Sequence, residues 1–97
     1  MGESALQRRI RKSLQRDFPD SFWFKVHGGP FQIAGLGDLI GCVSGIFFML
    51  EVKHPDEDHP VSAIQKHRIK EVTIAGGVAC VVESVEEALE IVNQHLR

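Results

Sequence analysis

Two charged residues close an apolar segment in the middle of the chain. The segment FFMLEVK, residues 47–53, places Glu51 and Lys53 two positions apart. Side chains two residues apart on a β-strand point to the same face, so a carboxylate and an ammonium group would lie side by side at the strand end. A carboxylate suits a hard divalent cation, and an ammonium group stabilises negative charge in a transition state. This pair suits metal-assisted hydrolysis of a phosphate ester.

A third charged residue joins the pair if the chain forms a hairpin. Two apolar runs flank Ser44-Gly45, a plausible two-residue turn. In that register Asp38 lies directly opposite Glu51, with Cβ atoms about 4.5–5.5 Å apart. Lys53 shares their face, whereas Val52 points into the core. The hairpin therefore predicts two carboxylates and one lysine on a single face.

Two opposed carboxylates repel each other unless a positive charge lies between them. Mg²⁺ and Mn²⁺ prefer oxygen ligands, and Mg²⁺ commonly uses one or two protein carboxylates, several waters and a substrate phosphate. One metal-bound water would then be the nucleophile, and Lys53 would orient it or stabilise the pentacoordinate transition state.

A simpler interpretation of the same residues stays open. Glu-x-Lys often occurs by chance at a strand end, and on an exposed face it forms only a weak surface ion pair. The opposed position of Asp38 depends on an even-length turn, because a slip of one residue would send this side chain to the other face.

The first half of the chain predicts a helix followed by three strands. Leu6, Ile10 and Leu14 recur every four residues, which indicates an amphipathic helix over about 4–17, ending before a proline. Residues 21–26 read as a short aromatic strand, in which Trp23 is a core residue. The hairpin over 38–53 supplies the next two strands.

The second half predicts a helix, a strand and a helix. Ser62-x-x-Gln65 has the form of a capping box and opens a helix over 62–75, on which Ile64, Ile69 and Val72 would face the core. Val78 to Val82 lacks polar alternation, so we expect a strand buried on both faces. Ser84 opens the last helix. The predicted order is α-β-β-β-α-β-α.

Positive charge is concentrated in two blocks. The chain has a formal net charge of −2, yet residues 1–16 carry +4 and residues 61–70 carry +3. This distribution is compatible with a polyanion that contacts the edges of an acidic centre, although charged faces of small proteins are commonly just solvated. The candidate phosphate contacts are Arg8, Arg9, Lys12, Arg16, Lys66, Arg68 and Lys70.

Length and composition exclude several classes of protein. The 97 residues predict one domain, 1–97, and no apolar run approaches the roughly 20 residues of a membrane span. The N-terminus lacks a signal-peptide core, so we expect an intracellular, cytoplasmic protein that does not bind membranes. Cys42 and Cys80 are expected to be small buried residues rather than a disulfide or a zinc pair.

A glycine pattern offers one rival function. Gly35-x-Gly37-x-x-x-Gly41 superficially resembles a dinucleotide-binding loop. Such a loop follows a strand and opens a helix, whereas here a hairpin follows. An oxidoreductase is therefore not expected.

Four pieces of the sequence, in this order, resemble a known domain. They are Glu3 in a basic helix, Gly37-Asp38-Leu39-Ile40-Gly41, Phe48-x-x-Glu51-Val52-Lys53 and Ser62-x-x-Gln65. Together they resemble the virus-type replication-repair nuclease (VRR-NUC) domain of the PD-(D/E)xK nuclease superfamily. The resemblance covers nearly the whole chain. It implies a single-domain α/β fold whose central mixed sheet is flanked by helices.

The resemblance also implies roles for individual residues. Asp38, Glu51 and the main-chain carbonyl of Val52 would bind the metal, and Lys53 would be the catalytic lysine. One departure is Gly37, which stands where the family usually has proline and would loosen the local backbone.

Two further site residues have alternative interpretations. The resemblance makes Glu3 an additional acidic residue of the site, although this carboxylate could simply favour a helix N-terminus. It makes Gln65 a helper near the metal water or the DNA, although this amide could only cap its own helix.

The predicted function is metal-dependent, structure-selective DNA endonuclease activity. By resemblance to Holliday-junction resolvases, we expect branched DNA as the substrate, Mg²⁺ or Mn²⁺ as the cofactor, a homodimer, and a phage or bacterial origin. The alternative is a catalytically inactive DNA-binding or assembly module on the same fold.

Overall fold

The predicted order of secondary structure is confirmed. The computed structural model describes residues 2–28, 33–56 and 60–96. Within these ranges the chain forms a single compact α/β domain with three helices and four strands. They are α1 (Glu3–Asp17), β1 (Phe22–Lys25), β2 (Leu39–Val43), β3 (Ile46–Val52), α2 (Ala63–Ile74), β4 (Val78–Val82) and α3 (Val85–His95).

The four strands form one mixed sheet in the order β1-β2-β3-β4. The first three strands are antiparallel, whereas β4 runs parallel to β3. Ser44 and Gly45 both have positive φ, 51° and 81°, as a type I′ hairpin turn requires. The β2–β3 register extends from Val43 opposite Ile46 to Leu39 opposite Leu50. The predicted hairpin register is therefore confirmed.

The main core lies between α1, α3 and one face of the sheet. Leu6, Ile10 and Leu14 of α1 are buried there with Ala88 and Val92 of α3. The sheet contributes alternate residues, so each strand has one face in this core. These residues are Trp23, Leu39, Val43, Phe48, Leu50, Val52 and Val82.

Helix α2 lies against the opposite face of the sheet. Its Gln65 contacts Glu51, which alternates along β3 with the core residues Leu50 and Val52. No residue of α2 is fully buried, and Ile64 is 41% exposed. The prediction of a buried stripe on α2 is thus wrong for Ile64 and only partly met by Ile69 and Val72, which are half-buried, because this helix covers mainly the β4 side of the sheet.

Two other burial predictions are also wrong. In β4 only Val82 is buried, because β4 is an edge strand rather than a central one. Cys42 is exposed on the sheet face opposite the main core, and Cys80 is partly buried on β4; both are free thiols. The prediction for Trp23 is confirmed, since this side chain is buried and donates its indole N–H to the Ser21 hydroxyl at 2.9 Å.

None of the helices in the described ranges has both the length and the apolar character that a membrane span needs.

Candidate active site

Asp38 connects three strands at one end of the sheet. Its main-chain carbonyl accepts a hydrogen bond from the Val26 N–H at 2.8 Å, which extends the β1–β2 pairing. Its carboxylate oxygen Oδ2 accepts from the Val52 N–H on β3 at 2.7 Å. A hydrogen bond to a charged acceptor is among the stronger ones in proteins. The first carboxylate of the site is therefore held in position by backbone on both sides.

Gly37 allows this close approach. A Cβ atom at position 37 would lie 2.9 Å from both the Leu50 carbonyl oxygen and the Met49 Cγ, closer than real Cβ contacts. Gly37 is buried, so the main chain leading to Asp38 packs directly on β3. The expected loosening is replaced by tight packing, because glycine permits two backbones to touch.

Glu51 is buried, and its two carboxylate oxygens differ in their surroundings. The residue is only 4% exposed. Oε2 lies 3.2 Å from the Lys53 Nζ and also accepts a short hydrogen bond from the Gln65 side-chain amide. Oε1 is buried without a hydrogen-bond partner among the described residues. One oxygen is thus fully engaged, while the other has no donor among the described residues.

The surroundings of Glu51 raise the pKa of its carboxyl to about 7. Burial is the main cause, and Asp38 adds to it in two ways: its carboxylate can accept a hydrogen bond from Glu51 only while Glu51 is protonated, and its negative charge opposes the ionisation of Glu51. Lys53 acts in the opposite direction and favours the ionised form. The two acids therefore lie close together, as predicted, and a cation beside them would favour the ionised form of Glu51.

Gln65 caps its own helix and also contacts Glu51. Its Oε1 accepts from the Ser62 N–H at 2.9 Å, and the Ser62 hydroxyl accepts from the Gln65 N–H at 3.2 Å. The capping box of α2 is therefore complete. The Nε2 of the same amide donates to Glu51. One side chain thus connects the N-terminus of α2 to the carboxylate.

The two carboxylates are the candidate cation ligands. Among the described ranges there is no cluster of three or more His, Cys, Asp or Glu side chains arranged for a metal. The unpartnered Oε1 of Glu51, next to Asp38, nevertheless suits Mg²⁺ or Mn²⁺, because these ions can bind through two carboxylates and complete their shell with water and phosphate.

The acidic loop after β3, residues 54–59, adds no further cation ligand to Asp38 and Glu51 among its described residues. His54 accepts the Asp56 N–H through its Nδ1 at 3.1 Å, as in an ordinary turn. Residues 57–59 lie outside the described residues.

The remaining predicted residues are distributed over α1 and α2. Glu3 is the first residue of α1. The side chains of Arg8, Arg9, Lys12, Lys66 and Lys70 contribute to exposed surface.

Two of the predicted phosphate contacts already have carboxylate partners. Arg16 pairs with Asp17 at 3.0 Å, and Arg68 pairs with Glu71. Arg68 also donates to the Ala34 carbonyl at 2.9 Å. These two arginines are therefore the least available of the predicted phosphate contacts.

Sequence reasoning gave no ligand-binding role to Arg11 or Lys25, which line a cleft beside the site with Arg8. The three-residue spacing of Arg8 and Arg11 on one helix was the signal that could have identified the first of them.

The fold has counterparts among solved structures. No protein-family model and no curated protein sequence matches this chain. A structure described as a VRR_NUC domain protein superposes with a TM-score of 0.74 and 19% sequence identity, covering 99% of this chain and 88% of the other. A second, described as a VRR_NUC domain, has a TM-score of 0.66 and 19% identity, covering 93% and 96%. The chain therefore has the nuclease-type fold of VRR_NUC domains.

Proposed function

We propose that this chain is a metal-dependent endonuclease that hydrolyses phosphodiester bonds in DNA, with branched DNA such as Holliday junctions as its substrate. The observation that carries the proposal is the unpartnered oxygen of Glu51. It is buried beside a second carboxylate, while Lys53 and Gln65 occupy the other oxygen. A buried carboxylate oxygen without a donor is rare, and here a cation would complete the site.

The candidate ligands for Mg²⁺ or Mn²⁺ are Asp38, Glu51 and the main-chain carbonyl of Val52. When bound, the ion supplies Lewis-acid activation of water and neutralises charge on the phosphate. The protein fixes both carboxylates beforehand, since Asp38 is held by the Val52 N–H and Glu51 by the Gln65 amide. Such fixed groups avoid reorganisation during the reaction.

Lys53 is the proposed catalytic lysine. Its side chain is largely buried, and its Nζ lies 3.2 Å from Glu51 Oε2, so it is directed at the site rather than into solvent. From there it can orient the attacking water and stabilise negative charge on the phosphorus oxygens. Glu3 remains a proposed additional acid.

Exposed cations on two helices are the proposed contacts to the DNA backbone. Arg8, Arg9 and Lys12 lie on α1, and Lys66 and Lys70 lie on α2, the helix that also carries Gln65. Exposed cations of this kind supply sequence-independent affinity for phosphates. We also propose a homodimer, because cutting both strands of a symmetric junction requires two active sites related by a two-fold axis.

The test compares wild type with Lys53→Ala on labelled linear duplex, flap and four-way-junction DNA, in Mg²⁺, Mn²⁺ or EDTA. We expect cleavage only with a divalent cation, the four-way junction as the favoured substrate, and a rate at least about 100-fold lower in Lys53→Ala. Arg16→Gln is the control, because it also removes one positive charge but lies outside the proposed site.

A different result would favour the non-catalytic alternative. If wild type binds junctions with or without metal but cuts none of the substrates, the chain is a DNA-binding or assembly module on the nuclease-type fold.

A further inference from the structure

A cleft of about 610 Å³ lies between α1 and the edge strand β1. Its walls carry Arg8 and Arg11 from α1 and Lys25 from β1, with His27 just beyond the strand and Gln7 on the helix side. We call it the α1–β1 cleft. Its size falls within the usual range of small-molecule sites, roughly 300–1,000 Å³, so it can take up a nucleotide unit.

The α1–β1 cleft is lined by cations that have no carboxylate partner in the described part of the chain. None of its described lining residues is acidic. Within residues 2–28, 33–56 and 60–96, neither Arg8, Arg11 nor Lys25 forms an ion pair with a carboxylate. Like charges gathered in a concave site reinforce one another and attract an ion of opposite sign. The cleft is therefore suited to an anion.

The helix side of the cleft also contains a buried amide with an unmet acceptor. Gln7 is only 6% exposed, and its Oε1 has no hydrogen-bond partner in the described part of the chain. Buried side-chain oxygens nearly always accept a hydrogen bond from protein or ordered water. An ordered water at the wall of the cleft would supply the missing donor.

The α1–β1 cleft ends next to the first carboxylate of the candidate active site. Leu39, part of its wall, directly follows Asp38. Lys25 is the strand partner of Leu39, and the next N–H along the chain, that of Val26, donates to the Asp38 carbonyl. The cleft therefore lies at the same end of the sheet as Asp38, on the main-core face, whereas Glu51 faces α2.

We infer that the α1–β1 cleft binds a non-scissile phosphate of the DNA strand that is cut, through Arg8, Arg11 and Lys25. The inference rests on the proposed function. It extends that function because it states which of the cations contact the DNA strand and therefore which path the strand takes over the surface. Two of the three residues, Arg11 and Lys25, lie outside the basic positions that the sequence pattern had selected.

The test measures DNA affinity without cleavage. Fluorescence anisotropy of a fluorescein-labelled four-way junction, in EDTA and over a series of salt concentrations, is compared for wild type, Arg11→Gln, Lys25→Gln and Arg16→Gln. We expect each cleft variant to bind on the order of fivefold more weakly and to lower the slope of log K against log salt by about 1. The control Arg16→Gln removes the same charge from the same helix, but this guanidinium is already paired with Asp17, so the variant should lose clearly less affinity than either cleft variant.

Two additional measurements complete the test. The first distinguishes the loss of a binding site from the loss of the fold, and the second distinguishes DNA from a smaller ligand. Arg11→Lys keeps the charge and should keep most of the affinity, and circular dichroism should show an unchanged fold in every variant. Inorganic phosphate and adenosine monophosphate serve as competitors. We expect neither to displace the junction at concentrations near that of the DNA.

Three results would overturn the inference: an equal loss in Arg16→Gln, no loss in either cleft variant, or efficient displacement by adenosine monophosphate, which would make the cleft a nucleotide site. Failure of the proposed function is distinguishable. If wild type cuts none of the substrates while Arg11→Gln and Lys25→Gln still bind DNA more weakly than wild type, the proposed nuclease activity is contradicted. The inferred role of the cleft in DNA binding would then still stand.

Discussion

At the scale of single residues, Glu51 shows how the site departs from an ordinary core. A buried polar atom without a partner costs on the order of 1–3 kcal/mol, and more if it is charged. The Oε1 of Glu51 is in that position, while its Oε2 has two donors. A buried carboxyl with a raised pKa beside a second carboxylate is typical of groups retained for binding or catalysis.

The amide of Gln65 allows the capping and site roles to be separated by mutation. We expect Gln65→Ala to lower the cleavage rate by about 10- to 100-fold, the range measured when groups that orient metal ligands are removed. The reason is that Glu51 loses the donor that orients its carboxylate. The measurement is the single-turnover cleavage rate of the four-way junction at saturating Mg²⁺, together with the free energy of unfolding in urea.

Ser62→Ala is the matched control for that prediction. It removes the hydroxyl that caps α2 but leaves the Gln65 amide next to Glu51. It should lower the free energy of unfolding by about 1 kcal/mol and leave the cleavage rate close to wild type. If both variants lost the same activity, Gln65 would act only by stabilising the helix.

At the scale of elements, the segment that leads to Asp38 packs closely on β3 because Gly37 has no side chain. Gly37→Ala would bring a Cβ atom to 2.9 Å from the main-chain carbonyl of Leu50, and backbone cannot move aside cheaply. We expect a loss of about 1–3 kcal/mol in the free energy of unfolding. Cleavage should fall as well, since Asp38 would be displaced from Val52.

Gly28→Ala makes the same chemical change in the same loop region and serves as the control. Among the described residues, no atom lies within 4 Å of a Cβ atom at Gly28, so the free energy of unfolding should change by less than about 0.5 kcal/mol in this variant. Urea unfolding curves measure both variants. Equal stability of the two would show that the Gly37 contact with β3 is not needed for the fold.

At the scale of the whole molecule, one face of the sheet is incompletely covered. Helices α1 and α3 cover the main-core face, whereas α2 reaches only the β4 side of the other. Phe22, Phe24 and Phe47 on that face are 63%, 44% and 42% exposed. The first two rings are neighbours, with centroids 5.8 Å apart. Exposed aromatic groups on an edge strand are typical of protein interfaces.

This face is the candidate surface for the proposed homodimer. We expect wild type to sediment as a dimer at micromolar concentration and the double variant Phe22→Ser, Phe24→Ser to sediment as a monomer, because two aromatic contacts are lost on each subunit. Ile74→Ser, which changes another exposed apolar residue on α2, is the control and should stay dimeric. Sedimentation velocity over a concentration series measures the oligomeric state of each variant. If wild type remains monomeric at every concentration, the prediction is wrong.

Several local features could be predicted because they depend on residues close together in the chain. A Ser-Gly pair between apolar runs determines the hairpin turn, and the turn determines the β2–β3 register and hence the face shared by Asp38 and Glu51. The capping box before α2 and the four-residue period of α1 are equally local. The fold class and the carboxylate pair follow from them.

Features set by the packing of distant elements were decided only by the tertiary structure. That β4 is an edge strand, and α2 therefore half exposed, depends on strand order, which no local pattern in β4 encodes. The unpartnered Oε1 of Glu51 and the gathering of Arg11 with Lys25 depend on which helix covers which strand. Sequence patterns report the faces of single elements, whereas burial and charge clusters arise from contacts between elements that are far apart in the chain.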